Sequence, residues 1–309
     1  MFIEKKIHLY GTINQIKLFG ITDDSIFYKL FALMKFYDKL LSANSPVSNL
    51  MEVNQNAGLK SVSVSNELYH LISYGLKHSL DDNSQLNIAI GPLVKLWKIG
   101  FKEQSLPNHE KIQEVLNYCD PKKIILDKKQ SSIYLEKNMA IDLGAIAKGY
   151  IADKLVEFLR YQGIVSGFIN LGGNIKCFGY HPFRSDKNWH IGIQKPFEKR
   201  GEEIGKLITK EGAVVTSGVY ERKFTCNQKI FHHLFDQKTG YPITSNQQSL
   251  TIISPSALDA DTWATKLFGL SNKKISENLK NQQNLQYLSI SQKNNINMSP
   301  TLQGYFIKK

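Results

Sequence analysis

Asp142-Leu143-Gly144-Ala145-Ile146-Ala147-Lys148-Gly149 is the stretch on which the reading of this 309-residue chain turns. The apolar segment Met139–Ile141 runs up to a carboxylate of the buried type, and the chain turns at Gly144. A helix starts at once, with Lys148 in its first turn. Ile146, Ile151, Leu155, Phe158 and Leu159 recur with the helical period and form one apolar face, so the helix is expected to run to Tyr161 and to end at Gly163. A glycine turn feeding a helix N-terminus presents free backbone N–H groups and the positive end of the helix dipole, to which a lysine adds full charge. Those features suit a phosphate or pyrophosphate. An ordinary strand–turn–helix connection with a solvated lysine is the alternative.

Working outward, the composition is that of a folded globular chain, with 42% hydrophobic and 21% charged residues. No apolar run approaches the roughly 20 residues that span a bilayer. The start, Met1-Phe2-Ile3-Glu4-Lys5-Lys6-Ile7, lacks the apolar core of a secretory signal and has no nearby cysteine to carry a lipid, which points to the cytoplasm. Cys119, Cys177 and Cys226 lie far apart in no paired spacing and read as reduced thiols. The net charge of +12 comes from scattered lysines, with no basic run and no nucleic-acid module, so neither a nucleic acid nor a membrane is expected as a partner. The charge suits a soluble surface, or the capture of a dianionic cofactor or an acidic partner.

Helices are expected at Thr22–Ser42, with Asp23 and Asp24 in the first turn, after an N-cap at Ser65, and from Asn108 to near Tyr118. Lys123–Leu126 and Ser132–Leu135 read as a hairpin, and Ile7–Gly20 as one or two strands. Beyond the central helix come short strand candidates at Phe168–Phe178, His190–Gln194, Ala213–Thr216, Lys223–Cys226, Ile230–Leu234 and Leu250–Ile253. A helix through Trp263–Phe268 follows, then Leu285–Ile290 and Ile296–Met298 around a turn at Asn294-Asn295. Helices and mainly antiparallel strands in mixed order give an α+β fold, expected as one domain over residues 1–309.

Asp261 and Thr265 are four residues apart and share a helix face, offering two hard oxygen ligands suited to magnesium. The alternative is a helix-start carboxylate that caps free N–H groups, a role open to Asp259 as well. Gly172-Gly173 suits close approach of a ligand to backbone, or a tight bend in a sheet. Arg222 suits a phosphate or a surface ion pair. His232 and His233 would face opposite sides of a strand, so only one can face a site.

In order, Tyr10-Gly11-Thr12, Gly91-Pro92-Leu93-Val94-Lys95-Leu96-Trp97, the Asp142–Gly149 stretch, Asn170-Leu171-Gly172-Gly173-Asn174, Thr216-Ser217-Gly218-Val219-Tyr220-Glu221-Arg222, the run from His232 to Pro242, and Asp259–Thr265 resemble the ApbE-type FAD:protein FMN transferases. The resemblance extends from about residue 10 to about residue 270. It implies a flavin-transferase domain that moves the FMN moiety of FAD to a Ser or Thr hydroxyl of an acceptor flavoprotein and releases AMP. The alternatives are an FAD pyrophosphatase and a non-catalytic flavin-binding protein. By the same resemblance, Mg2+ sits on Asp261, Thr265 and the Ala145 carbonyl, and catalysis falls to His233 and Asp261. The implied flavin contacts are Tyr10, Leu86, Asn87, Lys148, Gly172, Gly173, Thr216 and His233. Two departures are visible. Gln85-Leu86-Asn87 stands where many members have Ala-Phe-Asp, and Gln237 replaces the usual proline after Asp236. The family's acceptor motif, Asp-Gly-x-Ser/Thr-Gly-Ala-Thr/Ser, is absent, so the acceptor is expected to be another protein.

Overall fold

Residues 1–82 and 84–309 are described by the computed structural model. β1 (Phe2–Leu9) and β2 (Thr12–Phe19) form a hairpin, and its turn residues Tyr10 and Gly11 take φ of 56° and 70°. Three helices follow, α1 (Ile26–Leu41), α2 (Asn49–Gln55) and α3 (Asn66–Ser79), with β3 (Val62–Ser63) between the last two. Next come α4 (Gly91–Trp97), α5 (His109–Leu116) and the hairpin of β4 (Ile125–Asp127) and β5 (Ser132–Tyr134). α6 (Ala147–Tyr161) leads into β6 (Gly167–Leu171), β7 (Asn174–Phe178), β8 (Trp189–Gln194), β9 (Glu203–Thr209) and β10 (Gly212–Gly218). The hairpin of β11 (Lys223–Cys226) and β12 (Lys229–His232) precedes β13 (Gln247–Ser254), α7 (Ala257–Lys266), α8 (Asn272–Leu279), β14 (Gln286–Ser291), β15 (Ile296–Met298) and β16 (Phe306–Lys308).

The central sheet has eight strands in the order β1-β2-β6-β7-β10-β13-β14-β15, every neighbour antiparallel. Strand alternation sorts its side chains into two cores. Ile16, Leu18, Ile169, Leu171, Ala213, Val215, Leu250 and Ile252 face the helices α1, α3, α6 and α7. Phe19, Cys177, Val214, Leu288 and Ile290 face the opposite way, onto the three-stranded sheet β16-β9-β8. A third, smaller core gathers around Trp97 under the β11–β12 hairpin. The fold is α+β with antiparallel pairing, as expected. No described helix is long and apolar enough to cross a membrane.

The α6 boundaries agree with the sequence pattern. Gly163 takes φ +79°, and Ile164 N–H reaches back to the Leu159 carbonyl at 2.9 Å, closing the helix in a left-handed cap. α1 starts later than expected, at Ile26, because Asp23 accepts the Ser25 N–H at 2.9 Å and holds a turn ahead of the helix. β3, α2, α4, β9, α8 and β16 had no expectation attached to them. β12 stops at His232, one residue before His233, so strand alternation does not set where His233 points.

Candidate active site

The site lies where the ends of β2, β6 and β10 meet the N-termini of α6 and α7. Gly172 and Gly173 form the β6–β7 turn with φ of +63° and +105°. A Cβ on Gly172 would come within 2.5 Å of the Thr12 side chain, so this turn packs directly on the Tyr10–Thr12 turn. Gly173 has nothing within 4 Å of that position and leaves open space for a ligand. Tyr10 itself donates its hydroxyl to the Met34 carbonyl at 2.6 Å, which anchors the turn on α1, and burial pushes its pKa up. Continuing the β7–β10 register brings Thr216 level with Gly173, and the Thr216 hydroxyl pairs with that of Thr251 at 2.8 Å.

Asn174 follows the glycine turn and is buried. Its Nδ2 has no full hydrogen bond, yet the amide lies close enough to Asp261 to favour the charged carboxylate. Asp261 is not the α7 cap. Ser256 accepts the Asp259 N–H, while Asp153 of α6 accepts those of Ala257 and Leu258. Asp261 lies one turn further in and accepts the Gly149 N–H at 2.9 Å. Gly149 is the third residue of α6, so its N–H has no acceptor within the helix, and it crosses to α7 for one. The contact needs a glycine, because a Cβ on Gly149 would lie 2.2 Å from the Ala257 carbonyl oxygen. Asp259 points elsewhere and accepts the Tyr74 hydroxyl at 2.7 Å.

The first turn of α6 grows out of a side-chain turn at Asp142, whose carboxylate accepts the Gly144 N–H at 2.7 Å. Burial raises the pKa of both Asp142 and Asp261, and the Lys148 ammonium opposes the rise in each. Asp142 is half-buried, and Arg222 and Lys95 also oppose the rise in its pKa. Lys148 Nζ lies 3.3 Å from the Gly144 carbonyl. Asp142 is the residue that sequence reasoning left out of the site. Its signal was its place immediately before the glycine turn.

His233 forms the facing wall. Desolvation pushes its pKa down to about 3, with Arg222, His232 and Lys148 adding to the fall. Its backbone N–H and its ring Nδ1 both meet the Arg222 carbonyl, the latter at 3.2 Å, so Nδ1 carries the proton and Nε2 keeps a lone pair. His232 is structural, its ring spanning the Ile243 carbonyl and the Leu234 N–H. Asp236 holds the following turn through the N–H groups of Lys238 and Thr239.

Two expected contacts are drawn inward. The Leu86 side chain is fully buried in the main core, and both ends of the Asn87 amide are engaged, by the Cys119 carbonyl and the Ala89 N–H. The two family departures touch each other, since Gln237 Nε2 donates to the carbonyls of Ser84 and Leu86 at 2.8 and 2.9 Å. Among the described residues no three His, Cys, Asp or Glu side chains form a metal-holding group. Thr265 lies one turn beyond Asp261 on α7, and Ala145 lies just ahead of the α6 N-cap.

A sequence model described as the ApbE family matches residues 10–289. The FAD:protein FMN transferase of Klebsiella pneumoniae (strain 342) is 38% identical over 94% of this chain and 90% of its own length. That of Treponema pallidum (strain Nichols) is 34% identical over 80% and 71%. The crystal structure of the ApbE protein from Thermotoga maritima superposes with a TM-score of 0.90 at 26% identity, covering 99% of both chains. With the fold, the ordered motifs and the site geometry in agreement, the chain belongs to the ApbE family.

Proposed function

We propose that this chain is an FAD:protein FMN transferase, which moves the FMN moiety of FAD to a Ser or Thr hydroxyl of an acceptor flavoprotein with Mg2+ and releases AMP. The observation that carries the proposal is the α6–α7 junction. There a buried carboxylate, Asp261, takes the Gly149 N–H at the start of α6 and lies within the field of the Lys148 ammonium.

The donor set fits magnesium. Asp261, Thr265 and the Ala145 carbonyl are all hard oxygens, few enough to leave room for water and phosphate oxygens. The raised pKa of Asp261 marks a carboxylate short of positive charge. Mg2+ bound there would supply charge neutralisation on the diphosphate.

The protein's own groups account for the remainder. Lys148 and the positive end of the α6 dipole hold the diphosphate, while the Ala147 and Gly149 N–H groups are spent on Leu143 and Asp261, and Gly173 lets backbone approach the flavin side. The acceptor oxygen attacks the FMN-side phosphorus, a P–O bond forms, and the bridging P–O bond breaks to leave AMP. His233, neutral at physiological pH, takes the hydroxyl proton at Nε2 and passes it to water. Positioning and charge stabilisation supply most of the acceleration in such transfers, so no strong protein nucleophile is needed.

The cytoplasm is the proposed compartment. Cys119 and Cys177 are buried in separate cores and cannot pair, as suits a reducing environment. Incubation with FAD, Mg2+ and an acceptor, read by intact-mass spectrometry, tests the proposal. The acceptor should gain one FMN mass per AMP released. Free FMN with AMP would indicate a pyrophosphatase, and intact FAD across several acceptors would indicate a binding protein.

A further inference from the structure

α6 and α7 hold each other by a reciprocal pair of carboxylates. On α6, Gly149 and Asp153 are one helical turn apart, and on α7 so are Ala257 and Asp261. Gly149 N–H donates to Asp261 Oδ2 at 2.9 Å. In the other direction, Ala257 N–H donates to Asp153 Oδ1 at 2.9 Å, and Leu258 N–H and the Ser256 hydroxyl donate to Asp153 Oδ2, each at 2.9 Å. The helices therefore run antiparallel, each placing a carboxylate on the other's first-turn donors. The mainchain approach at Gly149 leaves no slack for sliding. Lys176 completes the second half, with Nζ 3.1 Å from Asp153 Oδ1 and a hydrogen bond to the Pro255 carbonyl.

The two halves differ in what lies beyond them. Asp261 borders the cleft, whereas Asp153 is saturated by three donors and a lysine and has no capacity left for a ligand. We infer that Asp153 is a positioning residue. By pinning the N-terminus of α7 to α6, it sets the height of Asp261 and Thr265 against the Ala145 carbonyl. This inference rests on the reading of those three groups as the magnesium site.

Asparagine at 153 keeps one acceptor but turns an NH2 toward donors and loses the charge facing Lys176. α7 should then shift at its first turn while the helix pair stays packed through the core. The test is direct binding of Mn2+, a paramagnetic stand-in for Mg2+, to the full-length protein by electron paramagnetic resonance. Asp153→Asn should weaken Mn2+ by about 10- to 100-fold, the scale of supporting-residue changes at metal sites. FAD affinity measured without metal should stay at the wild-type value, and excess Mg2+ should restore kcat, so that only the half-saturating metal concentration moves. A folded Asp153→Asn protein with wild-type Mn2+ affinity overturns the inference, since a purely structural role would lower Tm alone. Should Asp153→Asn fail to fold, Ser256→Ala removes one of the three donors and decides in the same way. It should show a smaller shift in Mn2+ affinity, and an unchanged affinity overturns the inference. Wild-type protein that takes up no Mn2+ would bring down the magnesium reading first, and this inference with it.

Discussion

The α6–α7 wall of the cleft and the wall that carries His233 rest on different foundations. α6 and α7 are sewn into the main core by Ile151, Leu155, Leu159, Ala260, Ala264 and Leu267, all at most 2% exposed. The opposite wall hangs from the small core around Trp97, which packs at tilted or edge-on angles against Phe231, Phe235 and Tyr241 at 5.4, 5.9 and 5.7 Å and donates its Nε1–H to the Gly240 carbonyl. Half of the residues in its hairpin are solvent-exposed, two on each strand. A wall with few buried contacts opens at lower free energy than one set in the main core. The α6–α7 wall is therefore fixed in advance by the main core, whereas the wall that carries His233 opens at the lower free energy.

The hardest blow to the first wall is Asp261→Asn. The amide oxygen can still accept the Gly149 N–H, but the charge for magnesium is gone. Transfer should fall by at least about a thousandfold, on the scale of losing a principal electrostatic stabiliser. Because burial raises the Asp261 pKa, the charged form costs the metal-free fold stability at neutral pH. Calorimetry without metal should therefore show Tm unchanged or higher in Asp261→Asn. A lower Tm with activity retained would return Asp261 to a structural role and erase the contrast.

Trp97→Ala probes the second wall. Removing a fully buried indole costs about 3–5 kcal/mol. Hydrogen exchange should rise first in β11, β12 and the 233–241 turn, while α6 and α7 stay protected. Uniform loss of protection would show that the two walls unfold together.

Lys148→Ala should weaken FAD by about 1–3 kcal/mol, the range for a charged hydrogen bond. Fluorescence titration without metal checks it, and an unchanged affinity would make Lys148 a surface residue.

The subtlest readout is the pH response of His233. Its folded pKa, about 3, lies below the unfolded value, so the unfolded chain takes up the proton first. Its contribution to stability is complete above the unfolded pKa of roughly 6.5 and is lost as pH falls from there toward 3. His233→Asn should flatten that part of the stability profile, measured by urea midpoints between pH 4 and pH 7, and parallel profiles would argue against a desolvated ring.

Much of the fold was legible because its signals are local. The α6 period, the Ser65 and Asn108 caps and the Asn294 turn depend on residues a few positions apart, and the structure has all of them. The start of α1 was misplaced because an Asp23 side-chain turn competes with the helix for the same backbone donors. The ordered motifs put Lys148, His233 and Asp261 forward as site residues, quoted Asp142 without giving it a role, and did not include Asp153. Nothing local distinguishes Asp153 from any acidic residue on a helix surface.

The sequence by itself determined the α+β class, the central helix and the family, since helical period, glycine turns and motif order are properties of neighbouring residues. Only the tertiary structure decided which carboxylate caps which helix, for the Gly149–Asp261 and Ala257–Asp153 bonds span 112 and 104 residues. It also decided that Gln237 braces the Ser84–Leu86 segment, joining two departures that look independent along the chain. Those pairings are chosen by how helices and sheet bury their apolar faces, and that register is written in no single stretch of the chain.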